Sequence, residues 1–225
     1  MTDHPLRAIL NRAAAGTFPA ADMTVEILGS PPGHADAVVA FSGHNVIAAL
    51  LDPAEVRTQL TDDDPGGPMS APFLTWLGTR LGAEPGMLDV VLVANGVPTT
   101  TELARREDTD AHARVARARL HRSGVEVYSN PAGDGVVIIG RGLAGRLEVS
   151  IEVHPDRRGG GIGSRLAKAA LSLVPAGEPL FAQVSPGNVA SLRAFLAAGY
   201  RPICSEVLFL GTDRFPALVP DKIGH

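Results

Sequence analysis

Cysteine, lysine and long apolar runs are nearly missing from this chain of 225 residues, and each shortage removes a class of explanation. The single cysteine, Cys204, can neither close an internal disulfide nor build a cysteine-based zinc site. A disulfide framework is excluded, and a reducing compartment, the cytoplasm, is the expected setting. The longest apolar stretches reach about six residues, against the roughly 20 needed to cross a bilayer, so no membrane span and no membrane partner are expected. Residues 1–14 place Asp3, Arg7 and Arg12 among their apolar positions and lack the continuous apolar centre of a secretory signal. Positive charge is also in deficit: 20 Lys and Arg against 24 Asp and Glu leave a net charge of −4. No global positive field exists to hold a nucleic-acid backbone, so nucleic acid is not expected as a partner.

What remains is an ordinary globular composition. The chain is 45% hydrophobic, enough to bury a core, and its length allows one large domain or two small ones. In residues 5–14, Leu6, Ile9, Leu10 and Ala13 recur at helical spacing before Gly16, which predicts a short amphipathic helix. Apolar runs at 25–28, 37–41 and 46–51, separated by Gly, Pro and His-Asn clusters, predict a small sheet. Asp52-Pro53 opens a helix expected to reach Leu60. Residues 62–68, three aspartates and then Pro-Gly-Gly-Pro, can sustain neither helix nor strand and form the best candidate linker. A helix over 73–81 buries Phe73, Trp76 and Leu77, and a strand follows at 89–94. Residues 99–122 read as one or two helices with six arginines among alanines, either a solvated face or a local patch for an anion. Strands at 125–128, 136–140 and 146–153 predict a hairpin ladder. Beyond Pro155 the order is glycine run, helix, strand (180–185), helix and strand (203–210), an alternating β and α pattern.

Two glycine motifs compete for a phosphate. Gly140-Arg-Gly-Leu-Ala-Gly145 has the dinucleotide spacing G-x-G-x-x-G and follows a strand, but that fingerprint needs a helix next. Residues 146–153 alternate Leu147, Val149, Ile151 and Val153 on one face, which is a strand, so this motif is read as a turn between antiparallel strands. The second run, Arg157-Arg158-Gly159-Gly160-Gly161-Ile162-Gly163-Ser164, lies between a strand and an amphipathic helix. Its amides open that helix, where unpaired N–H groups and the helix dipole attract an anion, and its glycines let a bulky phosphate approach the backbone. Arg157 or Arg158 adds a charge-assisted contact. No Gly-Lys-Ser/Thr closes the run, so it is not a Walker loop.

With these residues in view, the chain resembles the GNAT superfamily of acyl-CoA-dependent N-acetyltransferases. Residues 158–163 fit the family's Arg-x-x-Gly-x-Gly/Ala signature, and Val153-His154-Pro155 stands in its usual Val-x-Pro position. Residues 188–200 resemble the second segment, an Asn opening a helix that ends in Gly-Tyr. The resemblance covers roughly 86–210. It implies an α/β (α+β) fold: a mixed, mostly antiparallel sheet with flanking helices and a V-shaped split between the fourth and fifth core strands, here 146–153 and 180–185. The expected organisation is an N-terminal α/β extension (1–85) and an acetyltransferase domain (86–225).

By the same resemblance, acetyl-CoA is the co-substrate. Backbone groups of Ile151 and Val153 would hold the pantetheine and the acetyl carbonyl. Arg158 and the run of Gly159, Gly160, Gly161, Ile162, Gly163 and Ser164 would hold the pyrophosphate, with Asn188 and Phe195 as further contacts. No metal is needed. The acceptor would be a primary amine on a small molecule or peptide, and a homodimer stays open. An amine of pKa near 10.4 is neutral only about once in 10³ at pH 7, so a base is required. Glu148 and Glu152 share one face of the strand beside the thioester, and Glu148 is favoured. His154 is near but adjoins Pro155. Cys204, on a late strand, reads as packing rather than as a nucleophile. Many family members place a tyrosine where this chain has Phe195, which cannot protonate a departing thiolate. That departure keeps an alternative alive, an acyl-CoA-binding regulatory protein with little or no turnover.

Overall fold

Alternation along the strands divides the side chains between two faces of one sheet. The computed structural model describes residues 4–33, 35–61, 64, 66–109 and 112–210. Its strands are β1 (Thr24–Leu28), β2 (Asp36–Phe41), β3 (His44–Ala48), β4 (Asp89–Asn95), β5 (Ala104–Arg106), β6 (Ser123–Ser129), β7 (Gly135–Arg141), β8 (Leu147–Val153), β9 (Pro179–Val184) and β10 (Arg201–Phe209). Among the described residues, six α-helices accompany them: α1 (Pro5–Ala14), α2 (Pro53–Arg57), α3 (Ala71–Leu81), α4 (Ala113–His121), α5 (Ile162–Ala170) and α6 (Val189–Ala197). The strands lie in the order β1-β3-β2-β10-β4-β9-β8-β7-β6-β5. Only β1–β3 and β8–β9 are parallel; the other neighbours are antiparallel.

One face carries Val149, Val137, Ala182 and Leu92, packed against Ile162, Leu166 and Ala170 of α5 and Phe195 of α6. Further along that face, Val38, Ile47 and Val207 meet Phe73 and Leu77 of α3. On the opposite face, Val39, Val46, Val91 and Phe181 pack under Leu6, Ile9, Leu10 and Ala13 of α1. Val136 and Ile138, facing away from the α5 cluster, pack under Val115 and Ala118 of α4.

Local chemistry explains most helix limits. Asp52 caps α2 by accepting the Ala54 amide at 2.9 Å, yet the helix stops at Arg57 rather than Leu60. Ser70 caps α3, and Gly82 in a left-handed conformation (φ +62°) ends it. The stretch 99–122 departs from its helical reading. Its first part supplies the short edge strand β5, where Arg105 and Arg106 pair with Tyr128 and Val127, and α4 begins only at Ala113. An edge strand in water needs no apolar alternation, so its arginines carried no strand signal. Three residues of the expected linker, 62, 63 and 65, lie outside the described residues; the rest leads into a 3-10 turn at Gly67–Met69.

Two relationships position the candidate site. First, β8 and β9 pair only at Leu147↔Leu180 and Glu148↔Phe181, and beyond those positions they part. From residue 149 to 153, β8 has no strand on that side among the described residues. Second, β4 lies between β9 and β10 rather than at an edge, and β10 in turn pairs with β2, so the N-terminal strands extend the same sheet.

Candidate active site

The glycine run does what its composition requires. After Val153 a 3-10 turn (Pro155–Arg157) leads into the loop, and Gly161, in a left-handed conformation, precedes α5 without any side-chain cap. None of the amides from residue 159 to 164 donates to a protein acceptor among the described residues, so this end of α5 presents bare N–H groups and the positive end of its dipole. Gly159 (φ +88°) and Gly161 (φ +72°) need glycine for conformation alone. Gly160 does not: its φ is not positive, and a Cβ there would meet nothing within 4 Å. The space over Gly160 is open, as a loop receiving a bulky anion would require.

This loop forms one wall of a cleft of about 710 Å³ between β8, α5 and α6. Ile151, Val153, Arg158, Gly159, Gly161, Ile162, Gly163, Ser164, Asn188 and Phe195 all line it, with Gly160 just outside the lining. The sequence-predicted cofactor residues, dispersed over 45 positions, thus converge on one surface. Asn188 Oδ1 caps α6 by accepting the Ser191 amide at 3.1 Å. Phe195 stands edge-on to Tyr200, ring centroids 5.0 Å apart, and the Tyr200 hydroxyl donates to the Ala167 carbonyl at 3.4 Å. Burial pushes the Tyr200 phenol well above its ordinary pKa.

Four arginines line the cleft, and three are engaged: Arg157 donates to Asp134 at 2.7 Å, Arg114 to Glu152 at 3.0 Å, and Arg158 to the Val153 carbonyl at 3.4 Å. Arg193 of α6 has no partner among the described residues. It stands on α6 five residues past Asn188, where no local sequence pattern marks it as a cleft residue.

Glu148 is placed differently from the base expected of it. It is buried, and its carboxylate accepts from Arg122 Nε (2.9 Å), Arg146 Nε (2.9 Å) and the Leu143 amide (3.2 Å). Burial alone would raise its pKa, but the charges and hydrogen bonds of Arg146 and Arg122 outweigh burial and hold it below the usual carboxylate range. A carboxylate so engaged is a poor proton acceptor, and Glu148 does not line the cleft. Burial should also lower the pKa of Arg146, but Glu206 and Glu148 overcome that and raise it. The decoy motif belongs to this cluster, since a Cβ on Gly142 would collide with the Glu148 carboxylate. Glu152 does line the cleft, half-exposed and tied to Arg114. His154 is exposed, 3.6 Å from Asp156. Burial pushes the Cys204 thiol far up, which suits packing and not nucleophilic attack.

A helix N-terminus with unpaired amides stands beside two diverging strands, an arrangement able to receive an anion. The sequence model of the Acetyltransferase (GNAT) family matches residues 105–200 of this chain. The match takes in the split, the glycine loop and α6 but leaves out β4 and β10. No curated protein matches the chain by sequence. Among solved structures, it is similar to a putative GNAT acetyltransferase from Novosphingobium aromaticivorans (18% identity, 56% of this chain, 64% of that one, TM-score 0.38). It is also similar to an acetyltransferase from the GNAT family of Colwellia psychrerythraea (16% identity, 61% and 60%, TM-score 0.36). A third is a GCN5-related N-acetyltransferase from Kribbella flavida (15% identity, 62% and 64%, TM-score 0.38). The chain thus spans less than two thirds of the length of each of these structures.

Proposed function

We propose that this protein transfers the acetyl group of acetyl-CoA directly to the nitrogen of a primary amine carried by a small molecule or peptide. The observation that supports this reading most is the set of undonated amides at residues 159–164, set beside the unpaired edge of β8. A diphosphate seated on those amides would gain the α5 dipole, with Arg158 and the partnerless Arg193 adding charge. An amide-bearing arm would then run along β8 at Ile151 and Val153 in the manner of an added strand, directing its thioester toward the vertex at Glu148↔Phe181. Asn188 and Phe195 of α6 supply the facing wall. Main-chain N–H groups on the open edge of β8 would meet the negative charge that develops on the carbonyl oxygen as the amine attacks. The sole thiol is unsuited to a covalent acyl-enzyme, so transfer is direct, and the reducing cytoplasm is the fitting compartment.

One observation favours a second reading, acyl-CoA binding with little or no turnover. Phe195 carries no proton, and the neighbouring Tyr200 hydroxyl is directed to the Ala167 carbonyl. Calorimetric titration with acetyl-CoA, followed by thiol release over a panel of primary amines, separates the two. Binding with amine-dependent thiol release supports the transferase. Binding without release on any amine supports the second reading, and no binding overturns both.

A further inference from the structure

An amine arriving at the split meets a cleft whose charge is nearly all positive. Four arginines line it, and among the described residues Glu152 of β8 is the one carboxylate that does so. The other acids near the split stand outside the cleft. Glu148 and Glu206 are buried against Arg146, and Asp89 of β4, raised by burial and by the like charge of Glu206 with Arg117 opposing, faces those groups instead. An acceptor ammonium therefore has one counter-charge inside the cleft, and that counter-charge is already taken: Arg114 Nε donates to Glu152 Oε2 at 3.0 Å.

The fold explains why these two side chains meet. α5 and α6 cover one face of the split, so the acceptor approaches on the other, where Val115 and Ala118 of α4 lie over Val136 and Ile138 of β7. Val136 pairs with Glu152, and the first turn of α4 therefore sets Arg114, the neighbour of Val115, beside the outer end of β8. Among the described residues α4 has no side-chain cap and no acid in that turn, so Arg114 adds to the positive end of the helix dipole instead of offsetting it. Both side chains are open to solvent, 43% and 38% exposed, and their mutual contact is the one hydrogen bond or ion pair that either makes among the described residues. Glu152 stands between Ile151 and Val153, whose main chain forms the free edge of β8, and its side chain alternates to the acceptor's face. Of the six arginines in the stretch 99–122, Arg114 is the one that reaches the cleft.

We propose that the Arg114–Glu152 pair is the acceptor's docking point and that it selects amines carrying a carboxylate beside the ammonium, the chemistry of an α-amino acid. This inference rests on the transferase reading above and narrows its acceptor. A plain alkylammonium must take Glu152 from Arg114 and leave the guanidinium without a partner. A zwitterion exchanges partners instead: its ammonium goes to Glu152, its carboxylate to Arg114, and the one ion pair that is broken is replaced by two. Acetylation then removes two protons from the nitrogen, one to the departing thiolate and one to solvent, and leaves a neutral amide. The product keeps only its carboxylate, which competes with Glu152 for Arg114, so re-formation of the original pair favours product release.

The test compares the full-length chain with Arg114→Gln, Arg114→Lys and Glu152→Gln. Acetyl-CoA affinity is measured by calorimetry, and thiol release with a panel of free α-amino acids, their α-carboxamides and simple alkylamines. The carboxamide is the less basic amine and the more often neutral at pH 7, so a preference for the free acid cannot come from easier deprotonation. The parent's kcat/KM is expected to be at least about tenfold higher on an amino acid than on its carboxamide. Arg114→Gln should raise KM for the amino acid by about tenfold or more and lower it for the carboxamide, since Glu152 is then unpaired. Arg114→Lys should restore part of the preference, and Glu152→Gln should raise KM for both. A parent that acetylates carboxamides or alkylamines as well as amino acids, or a preference that persists in Arg114→Gln, overturns the assignment while the transferase stands. A parent that binds acetyl-CoA but acetylates nothing in the panel overturns the transferase and this acceptor with it. A parent that fails to bind acetyl-CoA removes the cofactor reading itself.

Discussion

Arg146 grips Glu206 across two intervening strands: its terminal nitrogens lie 2.8 and 2.6 Å from the two carboxylate oxygens, and both residues are buried. Its third nitrogen holds Glu148, and its guanidinium lies 5.3 Å from the centre of the Phe181 ring. Anchored just before β8 and reaching β10, this side chain ties the two halves of the sheet together behind the point where β8 and β9 part.

Replacing Arg146 by Met should therefore leave two buried carboxylates without their main counter-charge and cost about 3–5 kcal/mol in urea-induced unfolding. Glu148→Gln should be destabilising in the same assay. The folded-state pKa of Glu148 is depressed, so its contribution to stability is present above the unfolded value, near 4.3, and is lost as pH falls through the folded value. Parent and Glu148→Gln stabilities should accordingly draw together as pH falls below the unfolded value and meet only below the folded one.

Two glycine substitutions separate loop conformation from ligand contact. Gly161→Ala forces alanine to a positive φ and should lose about 1 kcal/mol of stability. Gly160→Ala meets no neighbour and should leave unfolding unchanged, while lowering acetyl-CoA affinity at least tenfold if the space above it receives a diphosphate. Calorimetric binding and thermal unfolding on the same pair of proteins check both.

Arg193→Ala should weaken acetyl-CoA binding by about tenfold, with a shallower dependence of affinity on salt than the parent, and without a change in thermal midpoint, since the side chain has no protein partner to lose.

Asp89 predicts a pH-dependent stability of the opposite sign to Glu148. With its folded-state pKa raised to about 6, ionisation opposes folding, and the penalty grows as pH rises from the unfolded value, near 3.9, through 6. Asp89→Asn should thus be more stable than the parent at pH 8 by about 1–2 kcal/mol, allowing for solvent screening, and no more stable at pH 3. Denaturant titrations at the two pH values measure the difference.

Much of the C-terminal half was legible because its signals are local. Alternation at Leu147, Val149, Ile151 and Val153 separated a strand from the helix that G-x-G-x-x-G would have needed, and three consecutive glycines before Ile162 marked a helix start. The residues expected to hold a cofactor share one cleft because they belong to contiguous loop and helix segments. The surroundings of Glu148 were not legible, because nothing in a strand's own alternation tells that it will be met by Arg122, 26 residues away, and by Arg146. Asp89 was read as the start of a strand and nothing more: its environment is made by residues from β8, β10 and α4, which no window of sequence contains. β5 escaped for the reverse reason, being too short and too wet to carry any pattern.

The placement of β4 bears on how the molecule is made. Residues 89–95 are flanked in the finished sheet by strands that begin at 179 and 201. As the nascent chain leaves the ribosome, β4 has neither of its native neighbours until residues 179–209 have been made. Assembly of the sheet's centre is therefore a late, non-local event, and the interval before it is when this protein is most exposed to misassociation with its own copies.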